Sequence, residues 1–338
     1  MDDLKNQQPN CSRLSHTLLM TEMIRVVVPF AMTLALLLLS STPVRAQELG
    51  HYLQGSAGLD SGGAPPPGAY FTFLSYVYPI DSFKGRNGQT LIKTNLTTNV
   101  PNAVISSVVK TRFLGADYGF TIVMPYANKR LQANILPTGE IGSGGLSDVF
   151  FEPLMLGWHK GAADILFDYG FYLPTGTYSS DASFRSAGLG FFENQFQLGT
   201  NLAVSRKRAV TLALLSTWEF SQKKSGIDIR PGNIMTLEYG LGKKFAKGAL
   251  NLGASGYYYR KLTSDRGTAI SPLQRGIHDQ ALGLGPEVQL TLPIHLPWLV
   301  QLGFRYQPQF NVEARPSGHT FVATLSLLDL FLPQAPKQ

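Results

Sequence analysis

From Ile165 onward, apolar residues recur at every second position, and this period of two constrains the fold more than any other feature of the chain. The first clear run places Ile165, Phe167, Tyr169, Phe171 and Leu173 on one face, with Asp164, Asp168 and Gly170 on the other. Successive side chains of a strand point to opposite faces, so the run reads as a strand with one apolar and one polar side. The pattern returns with Phe196, Leu198 and Leu202 against Glu193, Gln195, Gln197 and Asn201, and with Leu212, Leu214 and Trp218 against Thr211, Thr217 and Glu219. It continues with Leu237, Tyr239 and Leu241 against Thr236, Glu238 and Gly240, and with Leu252 and Tyr258 against Asn251, Ser255 and Tyr257. Val288 then opposes Glu287, Phe304 and Tyr306 oppose Arg305 and Gln307, and Phe321 and Leu325 oppose Thr320 and Thr324.

The first half alternates less regularly, and the candidate strands there are 70–78, 89–99, 103–114, 116–127 and 147–159. If Pro101 only kinks one long strand, the whole chain holds about twelve strands, each near the length a tilted strand needs to cross a bilayer. No segment keeps a helical period for three turns.

Which face is apolar decides between a soluble sandwich and a membrane barrel. In a sandwich the polar rows meet water, and Lys and Glu dominate them. Here those rows hold Gln, Asn, Thr, Ser, Gly and a few carboxylates, and only 15% of the chain is charged, below the roughly 25% of an ordinary soluble domain. Such rows suit a crowded, wet interior. The apolar rows carry aromatics such as Tyr169, Trp218, Phe220, Tyr239, Tyr258 and Tyr306, which suit girdles at lipid–water boundaries. In lipid every backbone polar group needs a partner, so a spanning sheet must close on itself. The expected fold is all-β: a closed antiparallel transmembrane β-barrel, residues 69–332.

A signal peptide is expected before it. Arg25 precedes the apolar run Val26 to Leu39, and Ser40 to Ala46 supplies breakers and a Val-x-Ala step, so cleavage is placed after Ala46. Segment 1–46 contains Cys11, the single cysteine, so the exported chain has no disulfide framework. The cut removes Lys5, Arg13, Arg25 and Arg45 against Asp2, Asp3 and Glu22, which lowers the net charge from +7 to +6. That charge is scattered, and nucleic acid is excluded as a partner.

Several motifs in order carry a resemblance. The mature start His51-Tyr52-Leu53-Gln54-Gly55-Ser56-Ala57-Gly58-Leu59 leads to Pro65-Pro66-Pro67-Gly68. Ser147-Asp148-Val149, Pro153-Leu154-Met155-Leu156-Gly157-Trp158 and Leu173-Pro174-Thr175-Gly176-Thr177-Tyr178 follow. Pro231-Gly232-Asn233, Glu238-Tyr239-Gly240-Leu241-Gly242, Gly256-Tyr257-Tyr258-Tyr259, Gly285-Pro286-Glu287-Val288 and Gly318-His319-Thr320 complete the series. Together these resemble the family named for the meta-pathway of phenol degradation. The resemblance implies an outer-membrane β-barrel of Gram-negative bacteria that assists uptake of aromatic or hydrocarbon substrates. The chain departs from the usual barrel ending, since it runs on through Phe331-Leu332-Pro333 to a tail, 333–338.

Covalent chemistry finds little support. A nucleophile needs a base within reach, yet the five histidines after the expected cleavage point, His51, His159, His278, His295 and His319, are dispersed, with no Gly-x-Ser-x-Gly elbow and no His-x-x-x-His spacing. Gly142-Ser143-Gly144-Gly145 lacks the Lys of a phosphate cradle and reads as a flexible connection. No catalytic residue, metal ligand or cofactor is assigned.

The candidate pore-lining residues are Asp164, Asp168, Glu193, Gln195, Gln197, Glu219, Glu238, Tyr257, Glu287 and Arg305, all on the predicted lumen rows. They read either as a polar permeation path or as an interior hydrogen-bond network that holds the barrel together. The Pro/Gly-rich segment 47–68 reads equally as a lumen plug or as a loose periplasmic lead-in. Lys223, Lys224, Arg206, Lys207 and Arg208 lie beside predicted turns and read as solvated strand caps or lipid-headgroup contacts.

A twelve-strand barrel is narrower than the 16–18-stranded porins, which favours small or slender solutes. The expected function is passive uptake of small hydrophobic or aromatic molecules across the outer membrane. The expected partners are outer-membrane lipid, the assembly machinery and the solute. The alternatives are a non-conducting structural or envelope-binding barrel and, less favoured, an outer-membrane lipase.

Overall fold

The computed structural model describes residues 49–132, 140–180, 186–205, 209–270, 275–295 and 298–330. The signal segment 1–46, the cluster Arg206, Lys207 and Arg208, and the tail 333–338 lie outside the described residues.

Thirteen strands follow in chain order: β1 (Gly68–Lys84), β2 (Thr90–Phe113), β3 (Ala116–Gln132), β4 (Glu140–Leu146), β5 (Val149–Lys160), β6 (Ala163–Leu173), β7 (Glu193–Ala203), β8 (Val210–Ser221), β9 (Ile234–Phe245), β10 (Leu250–Lys261), β11 (Gln280–His295), β12 (Trp298–Glu313) and β13 (Pro316–Leu330). Each pairs antiparallel with its sequence neighbour, apart from β4 and β5, and β1 closes the ring on β13 with Phe73 opposite Leu325. β4 and β5 lie end to end against β3: Tyr126–Gln132 pairs with β4, and Asp117–Val123 with β5. The ring therefore has twelve strand positions and no open edge, as a sheet in hydrocarbon requires.

The outward rows are apolar and exposed, the inward rows polar and buried. On β7 and β8, Leu198 is 60% exposed while Glu193 and Glu219 are fully buried. Outward aromatics cluster toward one rim, with ring centroids 4.9 Å apart for Tyr169–Phe196, 5.5 Å for Phe171–Phe192 and 5.9 Å for Phe196–Phe220. These are separations at which aromatic pairs attract. The two rims differ. Gly68 and Leu330 meet at one rim, where β2–β3 and β5–β6 are joined by two-residue turns. At the other, the connections 174–192, 222–233 and 262–279 are long and tied together, as by Ser225 N donating to Gly190 O (2.8 Å) and Arg230 N to Arg266 O (2.7 Å).

Two local expectations are corrected. Gly142-Ser143-Gly144-Gly145 is no flexible connection: it lies in β4, with Gly144 opposite Asn128 and Gly145 opposite Ala127. A ladder is made of backbone, and β3 extends far enough to template it. Lys224 is not a solvated cap. It is 5% exposed, with its ammonium 5.3 Å from the Tyr178 ring centroid and 5.7 Å from that of Phe191, a buried cation–π arrangement. Pro101 interrupts nothing, because β2 runs through it as one strand.

Candidate functional site

Residues 50–64 lie against the inward rows of the barrel, and inward carboxylates hold their backbone. Glu238 on β9 accepts the Tyr52 hydroxyl at 2.7 Å, Gly55 N at 2.9 Å and Ala57 N at 3.0 Å. Glu219 on β8 accepts Tyr52 N at 2.9 Å, and Glu287 on β11 accepts Leu59 N at 3.3 Å. Arg305 on β12 lies 3.4 Å from Glu287 and donates to Gly55 O at 3.2 Å. Asn201 on β7 accepts Gly62 N and donates to Asp60 O. An irregular buried segment cannot satisfy its own N–H and C=O groups, and the lumen rows supply the missing partners.

The packing is equally specific. Leu59 is fully buried, and it sits where Gly240, Gly242 and Gly253 leave side-chain space: a Cβ at Gly240 would fall 3.0 Å from Leu59 Cα, and one at Gly253 2.9 Å from Leu59 Cδ2. Gly62 lies flat on Gly199, whose added Cβ would fall 2.8 Å from the Gly62 carbonyl oxygen. The lumen glycines thus make room for the segment.

His51 closes the arrangement at the long-loop end. Its Nε2 is 2.9 Å from Asp148 Oδ2, and its Nδ1 is 3.0 Å from Glu193 Oε1. Two carboxylates facing both ring nitrogens select the imidazolium, the form in which both are donors. Burial pushes the imidazole pKa down, but Glu193 and Asp148 outweigh it and the net shift is upward. The ring stacks on Tyr172 at 4.5 Å and meets the edge of Phe191 at 4.7 Å. Asp148, in the gap between β4 and β5, also accepts Gly176 N at 2.9 Å and Leu189 N at 2.7 Å. One carboxylate therefore joins the inner segment to both arms of the connection 174–192.

Between this segment and the wall lies a cavity of about 310 Å³. Its wall is largely apolar, with Leu74 from β1, Val100 and Val104 from β2, Val123 and Ala127 from β3, and Phe150 from β5. Leu53 of the inner segment and Leu189 of the long connection face them, and His51, Gln195 and Gln197 contribute polar groups. The lumen is thus divided: the inward rows of β7–β12 hold the segment, and the cavity lies mainly against β1–β3 and the start of β5, where its lining is largely apolar.

The sequence candidates fall in different places. Glu193, Glu219, Glu238, Glu287 and Arg305 grip the segment. Gln195 and Gln197 line the cavity, Gln197 donating to Thr217 at 2.8 Å. Tyr257 is fully buried and its hydroxyl accepts from Gln309 Nε2 at 2.7 Å. Asp168 is buried beside Glu152. Asp164 sits apart, 2.9 Å from His159 Nδ1 near the short-turn rim. Sequence reasoning missed Asp148, Glu152 and the apolar inward row of β1–β3. Asp148 belongs to the Ser147-Asp148-Val149 run, and nothing in its spacing signals the contact with His51.

A family model described as "Putative MetA-pathway of phenol degradation" matches residues 80–325. No curated protein sequence matches the chain. Among solved structures, an outer membrane channel from Pseudomonas putida F1 is similar in fold, with a TM-score of 0.63 at 13% identity, covering 83% of this chain and 100% of that one. A FadL homologue from Pseudomonas aeruginosa gives a TM-score of 0.42 at 9% identity, covering 85% of this chain and 100% of that one.

Proposed function

Because the chain belongs to the phenol-degradation MetA-pathway family, we propose that it works in the outer membrane as a passive facilitator for small apolar molecules. The observation that carries this is the apolar inward row of β1–β3, which with Phe150 lines the cavity of about 310 Å³ beside the gripped segment. A lumen that met only water and ions would gain nothing from Leu74, Val100, Val104 and Val123 facing inward. An apolar solute gains by leaving water there. The short turns are assigned to the periplasm and the long connections to the exterior, following the habit of such barrels. Outer-membrane lipid surrounds the apolar belt, the assembly machinery inserts the barrel, and no covalent chemistry or cofactor is invoked.

A second reading, a barrel that holds its shape and conducts nothing, is favoured by the density of contacts around residues 50–62. Proteoliposomes loaded with an aromatic-responsive fluorophore separate the two. Wild-type barrel should speed entry of a small aromatic solute over empty vesicles, and Val100→Trp, which fills the cavity, should abolish the gain. Equal entry with and without the barrel removes the transport reading.

A further inference from the structure

Just beyond the cavity the lumen holds a cluster of buried carboxylates and amides in which several acceptor oxygens lack a partner. Phe150 and Glu152 are successive inward residues of β5, and Gln195 and Gln197 are successive inward residues of β7. Phe150, Gln195 and Gln197 line the cavity. Glu152 stands one step further toward the short-turn rim, and Asp168 lies opposite Gln197 in the β6–β7 register. Gly170 leaves space between them, and the Phe150 ring covers it, close enough that a Cβ there would fall 2.8 Å from Phe150 Cε2.

Glu152 is 5% exposed, Asp168 2% and Gln195 3%. Among the described residues, Glu152 Oε1, Asp168 Oδ1, Gln195 Oε1 and Glu219 Oε2 are buried with no hydrogen-bond partner. The nearby cation His51 is already held between Asp148 and Glu193. Buried carboxylates are costly unless a donor or a positive charge meets them. Here four buried oxygens await a donor, although Glu152 also meets the Thr121 hydroxyl.

We propose that this is a binding site for an organic cation, a slender apolar body carrying a protonated primary amine. An ammonium offers three donors and no acceptor, which complements Glu152, Asp168 and Gln195 together. Its apolar body fits the adjoining cavity, where the Phe150 and Tyr172 rings add cation–π attraction on the approach. An anionic head of the same shape meets like charge, and a neutral hydroxyl answers only one acceptor. The inference deepens the transport reading above and rests on it only for the route of entry.

The test is calorimetric titration of the full barrel in a neutral detergent with benzylammonium chloride, sodium benzoate and benzyl alcohol. Benzylammonium should bind saturably, at least about tenfold tighter than either isostere, and Glu152→Gln combined with Asp168→Asn should weaken it about tenfold or more. Glu152→Asp, which keeps the charge, should retain most of the affinity, and heat-modifiable gel migration reports whether each variant is folded. Benzoate or benzyl alcohol binding as tightly, or a folded double variant binding unchanged, overturns the proposal. Cation binding by a barrel that passes no solute removes the transport reading and leaves this one. Solute passage without a cation preference does the converse.

Discussion

His51 Nε2 stands 2.9 Å from Asp148 Oδ2 and so ties the segment inside the barrel to the loop connection above it. The raised pKa of His51 means that its contribution is complete below the unfolded value, about 6.5, and is lost as pH rises through the folded value. Asp148 works in the opposite sense. Burial pushes its carboxyl up, but His51 and the amides of Leu189 and Gly176 hold it below the ordinary range, so its contribution is lost as pH falls through that lowered value. The clasp should be tightest between the two titrations. Planar-bilayer current through the wild type should rise on the alkaline side, and His51→Ala should be open already and flat there. A wild-type current that ignores alkaline pH would disprove the clasp.

Glu238 carries three of the closest contacts to the segment, from the Tyr52 hydroxyl, Gly55 N and Ala57 N. Hydrogen bonds to a charged group each contribute about 1.5–3 kcal/mol and do not add fully. Glu238→Ala should therefore cost on the order of 3 kcal/mol in urea unfolding and raise the ion current. Glu238→Gln, which keeps one acceptor oxygen, should fall between. If the alanine variant unfolds at the wild-type midpoint, the grip has been misjudged.

How much of this the sequence disclosed depended on which side of the sheet was polar. On β6–β13 the inward row is rich in polar residues such as Asp168, Gln195, Thr217, Glu238 and Gln307, the outward row apolar, and the period of two places both faces. On β1–β3 the inward residues Leu74, Tyr76, Val100, Val104 and Val123 are apolar as well, so both faces look alike and the alternation vanishes. That irregularity was itself the trace of the cavity. Gly and Pro in 47–68 suit a tethered strap and a loose leader equally. Only partners such as Glu238, distant by some 180 positions in sequence, distinguish them, and such pairings leave no local signal.

Gly240 should be intolerant of volume. An added Cβ meets Leu59 Cα at 3.0 Å and Gly58 O at 3.2 Å, atoms of the inner segment. Gly240→Val should push the segment out of place, cost about 1–3 kcal/mol and raise the current, while the barrel still migrates as a folded species. Leu241→Ala, the outward neighbour at 54% exposure, should change the current little. Wild-type behaviour in Gly240→Val would mean that Leu59 is not seated there in the working protein.

The outward face makes the most basic demand. Leu198 lies at the middle of β7, is 60% exposed and follows the buried Gln197. If that row faces hydrocarbon, Leu198→Arg places a charge near the bilayer centre, where such changes in barrels cost about 2–4 kcal/mol. Leu198→Phe keeps the row apolar and should be close to neutral. Unfolding of both variants from lipid vesicles gives the comparison. Arginine burial in hydrocarbon should shift the denaturant midpoint well below wild type, whereas in detergent, where the polar head is reached more easily, the shift should shrink. An arginine variant as stable in vesicles as the phenylalanine variant would mean that this apolar row does not face lipid.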